Sequence, residues 1–311
     1  MPTSISNKKK IAEEVVRLRI SQMFVNEEYK AKRLKVSVHL ALGYEAIAVA
    51  VNETMERGDN LLPSHRNIAY NLARAGKLQP ILDEYYLKPT GINAAHSGSM
   101  NMLNPEMGIV YTSSILGNAF PVATGLALSA KRRGKKNVTI VIVGDGSMEE
   151  GSYYESMLMA RSMELPVIFL IENNEWSMST RIDQRRSPID VSLLSKSMDI
   201  RYELLQGNDP FSYIEKFKDV REYSIENNMP VCVEVKVATL GERRLPSTQE
   251  FPEGEFINYH AGPAPEVFLN EWPMIKESEE DPVFVLTKHI EQSVLKEDAR
   301  RQFAILQKEI S

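Results

Sequence analysis

The sequence predicts an α/β fold in which helices connect the strands of a parallel sheet, with further helices at both ends. Residues 138–143 form a continuous run rich in β-branched residues, which is typical of a strand buried on both faces, and residues 231–237 predict a further strong strand. Residues 149–163 and 210–226 have helical patterns and come between such strands. This alternation favours a parallel sheet with right-handed crossovers.

The first third of the chain is predicted to be helical. Residues 8–30, 41–55, 68–75 and 79–87 carry apolar side chains at near-helical spacing. Residues 88–116 lose this periodicity and are rich in Gly, Ser, Asn and Pro, so we expect loops there. Loops often position functional groups, which makes this stretch of interest.

From residue 117 onward, predicted helices and strands alternate along the chain. In chain order they are a helix at 117–132, strands at 138–143 and 167–171 around the helix at 149–163, a strand at 200–205, the helix at 210–226 and a strand at 231–237. Residues 240–263 are predicted to form a long loop, and Asp281-Pro282 begins a helical segment with an acidic cap and proline in the first turn. We expect one domain over 1–311, made of a helical arm (8–60), a core (61–240), a loop (238–263) and C-terminal helices (282–310).

Composition narrows the function classes. Of the 311 residues, 43% are hydrophobic and 25% are charged, which is ordinary globular usage. The net charge of -5 gives no general attraction to nucleic acid or to an anionic membrane. Cys232 is the single cysteine, so no disulfide forms within the chain. With no secretory signal and no apolar run long enough to span a membrane, we expect a cytoplasmic protein without nucleic-acid or membrane partners.

Two short motifs carry the chemistry. Val-Ile-Val-Gly-Asp-Gly-Ser (141–147) and Phe-Leu-Ile-Glu-Asn-Asn (169–174) each consist of a buried strand that ends in a polar turn. Ligands of open α/β sheets gather at the carboxyl ends of strands, so both turns are expected to face one crevice. Asp145 supplies a carboxylate and Asn174 an amide oxygen, and Mg²⁺ prefers oxygen ligands that it shares with phosphate. A Gly-Asp-Gly alone is usually only a turn, but the two motifs together indicate a metal-bound diphosphate.

At this point the sequence resembles a known family. Gly-Asp-Gly, a helix and Asn-Asn are similar to the diphosphate-binding motif of thiamine-diphosphate enzymes. The longer string GDGSMEEGSYYESMLMARSMELPVIFLIENNEWSMST resembles the alpha subunit of the decarboxylating component of 2-oxo acid dehydrogenase complexes. The resemblance extends through VHLALGYEA (38–46) and SILGNAFPVATGLALSAK (114–131) and covers about residues 8–240. It implies a parallel-sheet fold of the type that binds the cofactor's diphosphate.

The resemblance implies roles for particular residues. The implied metal ligands are Asp145, Asn174 and the backbone carbonyl of Trp176. The residues implied to contact the cofactor are Gly144, Gly146 and Ser147 at the diphosphate, His65 and Arg66 in place of a Tyr-Arg pair that contacts the diphosphate, and Gly108 and Val110 beside the thiazolium. His39 matches a histidine near the substrate. From the residues alone, Arg66 could equally be an exposed cation at the start of a helix. A histidine on an apolar background such as His39 is more often a hydrogen-bonded core residue than a catalytic group.

The sequence departs from the family in two places. After Val237, relatives carry Arg-x-x-Gly-His-Ser, whereas this chain has no histidine before His260. The string around His260, Asn-Tyr-His-Ala-Gly-Pro-Ala-Pro, is closer to the Trp-His-Gly or Phe-His-Gly element of transketolase-type enzymes. Asn101 likewise replaces the histidine usual in Gly-Ser-Met-His. His39 and His260 are therefore the candidate catalytic residues, the alternative for His260 being a residue of a mobile loop.

The resemblance also implies a partner. The glutamate that activates the cofactor lies in a separate pyrimidine-binding domain in this family, so we expect a beta-type subunit to complete the site in an α2β2 assembly. The first hypothesis is the alpha subunit of a pyruvate dehydrogenase-like enzyme that decarboxylates a 2-oxo acid and transfers the acyl unit to a lipoyl acyltransferase. The second is a transketolase-like enzyme that transfers a two-carbon unit, for example from a ketose, to an aldehyde or ketone. A third is a scaffold that has lost its cofactor.

Overall fold

The computed structural model describes residues 5–241, 243–244, 246–249, 252, 254–269 and 272–311. The helices are α1 (Ile5–Lys30), α2 (Glu45–Thr54), α3 (Ile68–Ala75), α4 (Gln79–Tyr85), α5 (Ala119–Arg132), α6 (Gly151–Ser162), α7 (Ile182–Arg185), α8 (Val191–Ser197), α9 (Pro210–Asn227), α10 (Pro282–Leu286) and α11 (Gln292–Ile310). The strands are β1 (Asn60–Leu62), β2 (Thr139–Gly144), β3 (Val167–Asn173), β4 (Trp176–Ser177), β5 (Thr180–Arg181), β6 (Arg201–Leu205), β7 (Val231–Lys236), β8 (Arg243–Arg244) and β9 (Phe256–Ile257).

Five strands form one parallel sheet in the order β1-β2-β3-β7-β6. The predicted α/β class and parallel sheet are confirmed, and each of the four predicted strands is present with ends that differ by at most two residues. The sequence pattern does not predict β1, because three residues are too few to show the alternation of a strand. Two two-stranded antiparallel pairs, β4-β5 and β8-β9, lie outside this sheet.

The sheet is covered on both faces by apolar side chains. Successive residues of a strand point to opposite faces, and here they enter two different hydrophobic clusters. In β3, Ile168 and Leu170 join the cluster built with α1–α4, α9 and α11, whereas Phe169 and Ile171 join the one built with α5, α6 and α8. Burial on both faces explains why these strands read as continuous apolar runs.

Three predicted helices begin later than expected; the helix predicted from residue 117 starts at Ala119, and the other two start after tight turns. The helix predicted from residue 41 starts at Glu45, because Gly43 has φ 98° and a Cβ there would lie 2.0 Å from the carbonyl oxygen of Ala238. The helix predicted from residue 149 starts at Gly151, because Asp145–Glu149 first forms a 3-10 turn. The latter two differences come from tight turns that place backbone close to another segment.

The N-terminal and C-terminal helices are tied together by a buried ion network. The Arg19 guanidinium donates from Nε to Glu45 at 2.7 Å and from Nη2 to Asp281 at 3.0 Å, and all three side chains are fully buried. Nη1 also donates to the carbonyl oxygen of Pro273 at 2.8 Å. Asp281 caps α10 through the Val283 amide at 2.8 Å, as the predicted acidic cap requires.

Residues 88–116 form loops with a single 3-10 turn at Pro105–Met107, as predicted. Of the predicted 238–263 loop, residues 242, 245, 250, 251 and 253 lie outside the described residues. Among the helices described, none is long and apolar enough to cross a membrane. The division into one domain with arm, core, loop and C-terminal helices stays a proposal.

Candidate active site

The carboxyl ends of four parallel strands deliver polar residues to one edge of the sheet. His65 and Arg66 follow β1, the turn from Asp145 follows β2, Asn174 follows β3 and Thr239 lies just beyond β7. A cavity of about 240 Å³ opens at this edge. Of the predicted site residues, those that line it are His39, His65, Arg66, Gly144, Gly146, Ser147, Asn174, Trp176 and His260. The crevice expected from the two motifs is therefore present.

The Gly-Asp-Gly turn holds a buried carboxylate directly beneath the cavity. Asp145 has no exposed surface, while Gly144 and Gly146 on either side of it line the cavity. Its Oδ2 pairs with the guanidinium of Arg185, and its Oδ1 is buried without a hydrogen-bond partner among the described residues. Burial raises the pKa of the Asp145 carboxyl, and the charge of Arg185 only partly offsets this. A buried carboxylate oxygen without a partner is costly, and a metal ion is a partner that would satisfy it.

Asn174 is held in a fixed orientation above the end of β3. Its Nδ2 donates to the hydroxyl oxygens of Tyr44 and Thr239, each at 2.9 Å, and its Oδ1 accepts from the Trp176 amide at 3.0 Å. An amide oxygen has two lone pairs, so Oδ1 retains one for a metal ion. Carboxylate and amide oxygens at one sheet edge form a donor set that fits Mg²⁺. No sequence pattern indicates Tyr44 or Thr239 as the residues that set this orientation.

Three histidines from distant parts of the chain converge in the cavity. The ring centroids of His39 and His65 are 5.1 Å apart, as are those of His39 and His260, and His65 lies 5.5 Å from His260. Burial, followed by the charge of Arg66, lowers the pKa of His39 to about 4, of His65 to about 3 and of His260 to about 4. All three imidazoles are therefore neutral at physiological pH. Nδ1 of His39 and Nε2 of His65 are buried without hydrogen-bond partners in the described chain.

Arg66 is a buried cation whose hydrogen bonds go to backbone. Only 6% of the residue is exposed, so the alternative of an exposed helix-start cation is wrong. Its guanidinium donates to the carbonyl oxygens of Leu40 and, at 3.1 Å, of His260, and it faces the rings of Tyr44 and Tyr259. No ion pair joins it to a carboxylate within the part of the chain described here. A buried guanidinium without a carboxylate partner suits an anionic ligand.

Glu172 is a cavity residue that sequence analysis missed. It is the next-to-last residue of β3, lines the cavity, is 3% exposed, and accepts a hydrogen bond from the Tyr70 hydroxyl at 2.6 Å. Burial raises its pKa to about 7, against the opposing effects of Tyr70 and of the Arg66 charge. In the sequence it was only the residue before Asn-Asn, and nothing local indicated that its carboxyl would be buried.

Replacing Glu172 with glutamine is expected to change how stability depends on pH. The folded pKa of about 7 exceeds the ordinary value of 4.5, so the unfolded chain ionises first as pH rises. The free energy of unfolding of the wild-type protein, relative to that of Glu172→Gln, should therefore fall between about pH 4.5 and 7. Above pH 7 this difference should stay constant, at a loss of roughly 3 kcal/mol. Urea unfolding of both proteins at pH 5 and pH 8 measures this.

Glu234 provides a matched control for that experiment. Burial would raise its carboxyl pKa, but hydrogen bonds from Lys236, Asn173 and Tyr202 outweigh burial and lower it. Glu234→Gln should therefore act with the opposite sign and destabilise the protein at pH 8 more than at low pH. If Glu172→Gln and Glu234→Gln shifted stability in the same direction with pH, the protonated state assigned to Glu172 would be wrong.

Gly108 and Val110 lie away from the cavity lining. Gly108 has φ 89°, its carbonyl oxygen accepts from the Leu61 amide at 2.8 Å, and a Cβ there would lie 2.9 Å from the Asp59 carbonyl oxygen. Val110 packs at the edge of a hydrophobic cluster and donates its amide to Leu61 at 3.2 Å. This local geometry accounts for the glycine, and a thiazolium contact by either residue stays a prediction.

The model of the dehydrogenase E1 component family matches residues 13–239. The chain belongs to this family. Membership implies thiamine diphosphate as the cofactor, in agreement with the motifs at the sheet edge. His260 lies beyond the matched residues, as expected from the departure after Val237. The E1 family segment therefore includes the carboxyl ends of β1, β2, β3 and β7 but leaves out the third histidine of the cavity.

Named relatives of this E1 family chain include pyruvate dehydrogenase subunits. This chain is 33% identical over 198 residues to the pyruvate dehydrogenase E1 component subunit alpha of Rickettsia typhi. The aligned residues cover 64% of this chain and 61% of the relative. The mitochondrial subunit of Chaetomium thermophilum is 29% identical over 221 residues, which covers 71% of this chain and 53% of the relative. The chain thus spans less than two thirds of the length of these relatives.

Solved structures with the same fold include transketolases. The transketolase of Campylobacter jejuni superimposes with a TM-score of 0.59 at 16% identity, over 96% of this chain and 48% of that one. A Pichia stipitis transketolase complex with sedoheptulose-7-phosphate gives a TM-score of 0.58 at 15% identity, over 97% and 45%. At this level of identity the similarity concerns the fold alone, and it extends to the C-terminal region that the family model does not match.

Proposed function

We propose that this E1 family chain is the alpha subunit of a two-subunit enzyme, dependent on thiamine diphosphate and magnesium, that decarboxylates a 2-oxo acid and transfers the acyl unit. The observation that carries the proposal is the buried Oδ1 of Asp145, which has no hydrogen-bond partner among the residues described and lies at the same sheet edge as the oriented amide of Asn174. A carboxylate is left in this costly state when the fold is organised to receive a cation.

The chain's own residues would hold the diphosphate and its metal. Asp145, Asn174 and the carbonyl of Trp176 would bind Mg²⁺, and the Gly144–Ser147 turn would approach the diphosphate closely because its glycines carry no side chain. Arg66, buried and without an ion pair to a described carboxylate, would supply positive charge to the anion. His65 would add a neutral ring donor beside it.

The cofactor, when bound, supplies a carbon nucleophile that adds to the substrate carbonyl and stabilises the negative charge left by decarboxylation. The residues of this chain would position and hydrogen-bond the substrate. His39 and His260 are neutral at pH 7, so each ring can donate one hydrogen bond and accept another. Their burial lowers the local dielectric constant, which strengthens hydrogen bonds to any charge that develops there.

A second subunit would close the cavity. Ile115, Leu116 and Met178 line the cavity and are 68%, 45% and 65% exposed, so the cavity is bordered by apolar side chains in contact with water. An apolar border around a polar cavity suits burial against another protein. We propose that a beta-type subunit with a pyrimidine-binding domain covers it in an α2β2 assembly, and that a lipoyl acyltransferase accepts the acyl unit.

The histidine cluster favours a second candidate function. Three neutral imidazoles and one guanidinium in a small cavity offer several hydrogen-bond donors to the hydroxyl and carbonyl groups of a ketose or aldehyde. A simple 2-oxo acid has fewer such groups. Transfer of a two-carbon unit to an aldehyde or ketone, without a lipoyl acceptor, is therefore the alternative.

The test uses the chain purified with a pyrimidine-domain subunit from the same organism. Calorimetry first measures binding of thiamine diphosphate with Mg²⁺, and absence of binding would overturn both candidates in favour of a scaffold. The complex is then supplied with 2-oxo acids and either a lipoyl domain or aldehyde acceptors. Acylation of the lipoyl domain supports the first candidate. Carboligation products without lipoyl acylation overturn it in favour of the second.

A further inference from the structure

One arginine couples the segment after Asn174 to the proposed metal site. Arg185, the last residue of α7, extends one guanidinium nitrogen to Asp145 Oδ2 and another to Glu149 Oε1. The arginine side chain is only 10% exposed. Nη1 also lies 3.3 Å from the position that a Cβ on Gly146 would occupy, so the guanidinium lies against the Gly-Asp-Gly turn.

The two oxygens of Asp145 have different surroundings. Oδ2 is paired with Arg185, whereas Oδ1 is buried and lacks a hydrogen-bond partner among the described residues. The carboxylate cannot rotate without breaking the charged contact to Arg185. We propose that Arg185 is a positioning residue, which holds Oδ2 of Asp145 so that Oδ1 is presented to the metal ion. This inference rests on the proposed function, because it assigns a role toward the metal of that same site.

Charge balance explains how a cation can support a cation site. Arg185 contacts two carboxylates, and Glu149 is shared with Arg186, whose Nε lies 3.2 Å from Glu149 Oε1. Two arginines and two carboxylates form a cluster without net formal charge. The positive charge of Arg185 is therefore offset within the cluster, which reduces its repulsion of a metal ion at Oδ1. Hydrogen-bonded partners of metal-binding carboxylates orient them in the same way in many metalloproteins.

The experiment titrates Mn²⁺ into the complex of this chain with its pyrimidine-domain partner at saturating thiamine diphosphate, with free Mn²⁺ measured by electron paramagnetic resonance. Arg185→Gln should weaken Mn²⁺ binding about 10- to 100-fold. Arg185→Lys should restore part of the affinity, since one ammonium can hold Oδ2 but cannot bridge both carboxylates. Arg186→Gln is the matched control and should change the affinity less than about threefold, because in the described chain Arg186 forms an ion pair with Glu149 but none with Asp145.

Measuring the affinities for metal and for cofactor separately distinguishes a positioning role of Arg185 from a general structural defect in the variant. At saturating Mn²⁺, the affinity of Arg185→Gln for thiamine diphosphate should equal that of wild type. Unchanged or tighter Mn²⁺ binding by Arg185→Gln would overturn the inference, and tighter binding would mean that Arg185 competes with the metal. Lost cofactor affinity at saturating metal would instead indicate a direct diphosphate contact and also overturn it. If wild type itself bound neither metal nor cofactor, the proposed function would fail and not only this step.

Discussion

Asparagine in place of Asp145 is expected to abolish magnesium-dependent binding of thiamine diphosphate. The substitution keeps the shape of the side chain but removes the negative charge and one of the two carboxylate oxygens. Because removing a partner of a metal ligand already costs about 10- to 100-fold in metal affinity, replacing the ligand itself should cost at least about 100-fold. Titration calorimetry of the two-subunit complex measures this for wild type and Asp145→Asn.

Thermal unfolding gives a second measurement that needs no activity assay. A ligand that binds only the folded state raises the melting temperature in proportion to the logarithm of its concentration over Kd. Wild type should be stabilised by thiamine diphosphate with Mg²⁺, and Asp145→Asn should not. The matched control is Asp183→Asn, since the Asp183 side chain is 65% exposed and pairs only with Arg181 in the described structure. Cofactor affinity of Asp145→Asn within a few-fold of wild type would contradict the assignment.

Methionine in place of Arg19 is expected to destabilise the protein by about 3–5 kcal/mol. The substitution keeps much of the side-chain volume but leaves the carboxylates of Glu45 and Asp281 buried without their shared cation. Removing one partner of a buried ion network is costly because the remaining charges lose their compensation while staying away from water. Urea unfolding monitored by circular dichroism should show the loss as a lower midpoint.

Two further variants distinguish uncompensated charge from lost packing. Arg33→Met removes an exposed arginine, 59% accessible, that pairs with Glu28, and it should leave the urea midpoint nearly unchanged because water screens this pair. Glu45→Gln combined with Arg19→Met removes one of the unpaired charges, so the double variant should be more stable than Arg19→Met alone. Equal stability of the single and double variants would show that buried charge is not the source of the effect.

The long apolar patterns made the sheet and most of its helices predictable. Strands buried on both faces leave continuous β-branched runs, and the motifs around Asp145 and Asn174 are local strings at the ends of such strands. The carboxyl-end rule for parallel sheets then placed both turns in one crevice. Resemblance to the E1 family added the remaining candidates, of which Gly108 and Val110 are not at the cavity.

Local sequence patterns do not predict contacts between residues that are distant in the chain. Arg185 reaches Asp145 across 40 positions, and nothing in Arg-Ile-Asp-Gln-Arg-Arg distinguishes it from a solvated arginine. The convergence of His39, His65 and His260 depends on how three loops fold over the sheet edge. The raised pKa of Glu172 follows from its burial. From sequence alone, only the average tendency of glutamates to be exposed is known, and not the burial of this one.

The Arg19 network has a consequence for how the chain acquires its structure during synthesis. Asp281 is 262 positions away from the arginine it compensates, so the first helix cannot complete its charge pairing until residue 281 has left the ribosome. Contacts of such long sequence separation slow folding, because the entropy of closing the loop is lost before the contact forms. Early intermediates would therefore hold α1 through its contacts with α2 and α3, and its packing against α11 would follow once the C-terminal helices have formed.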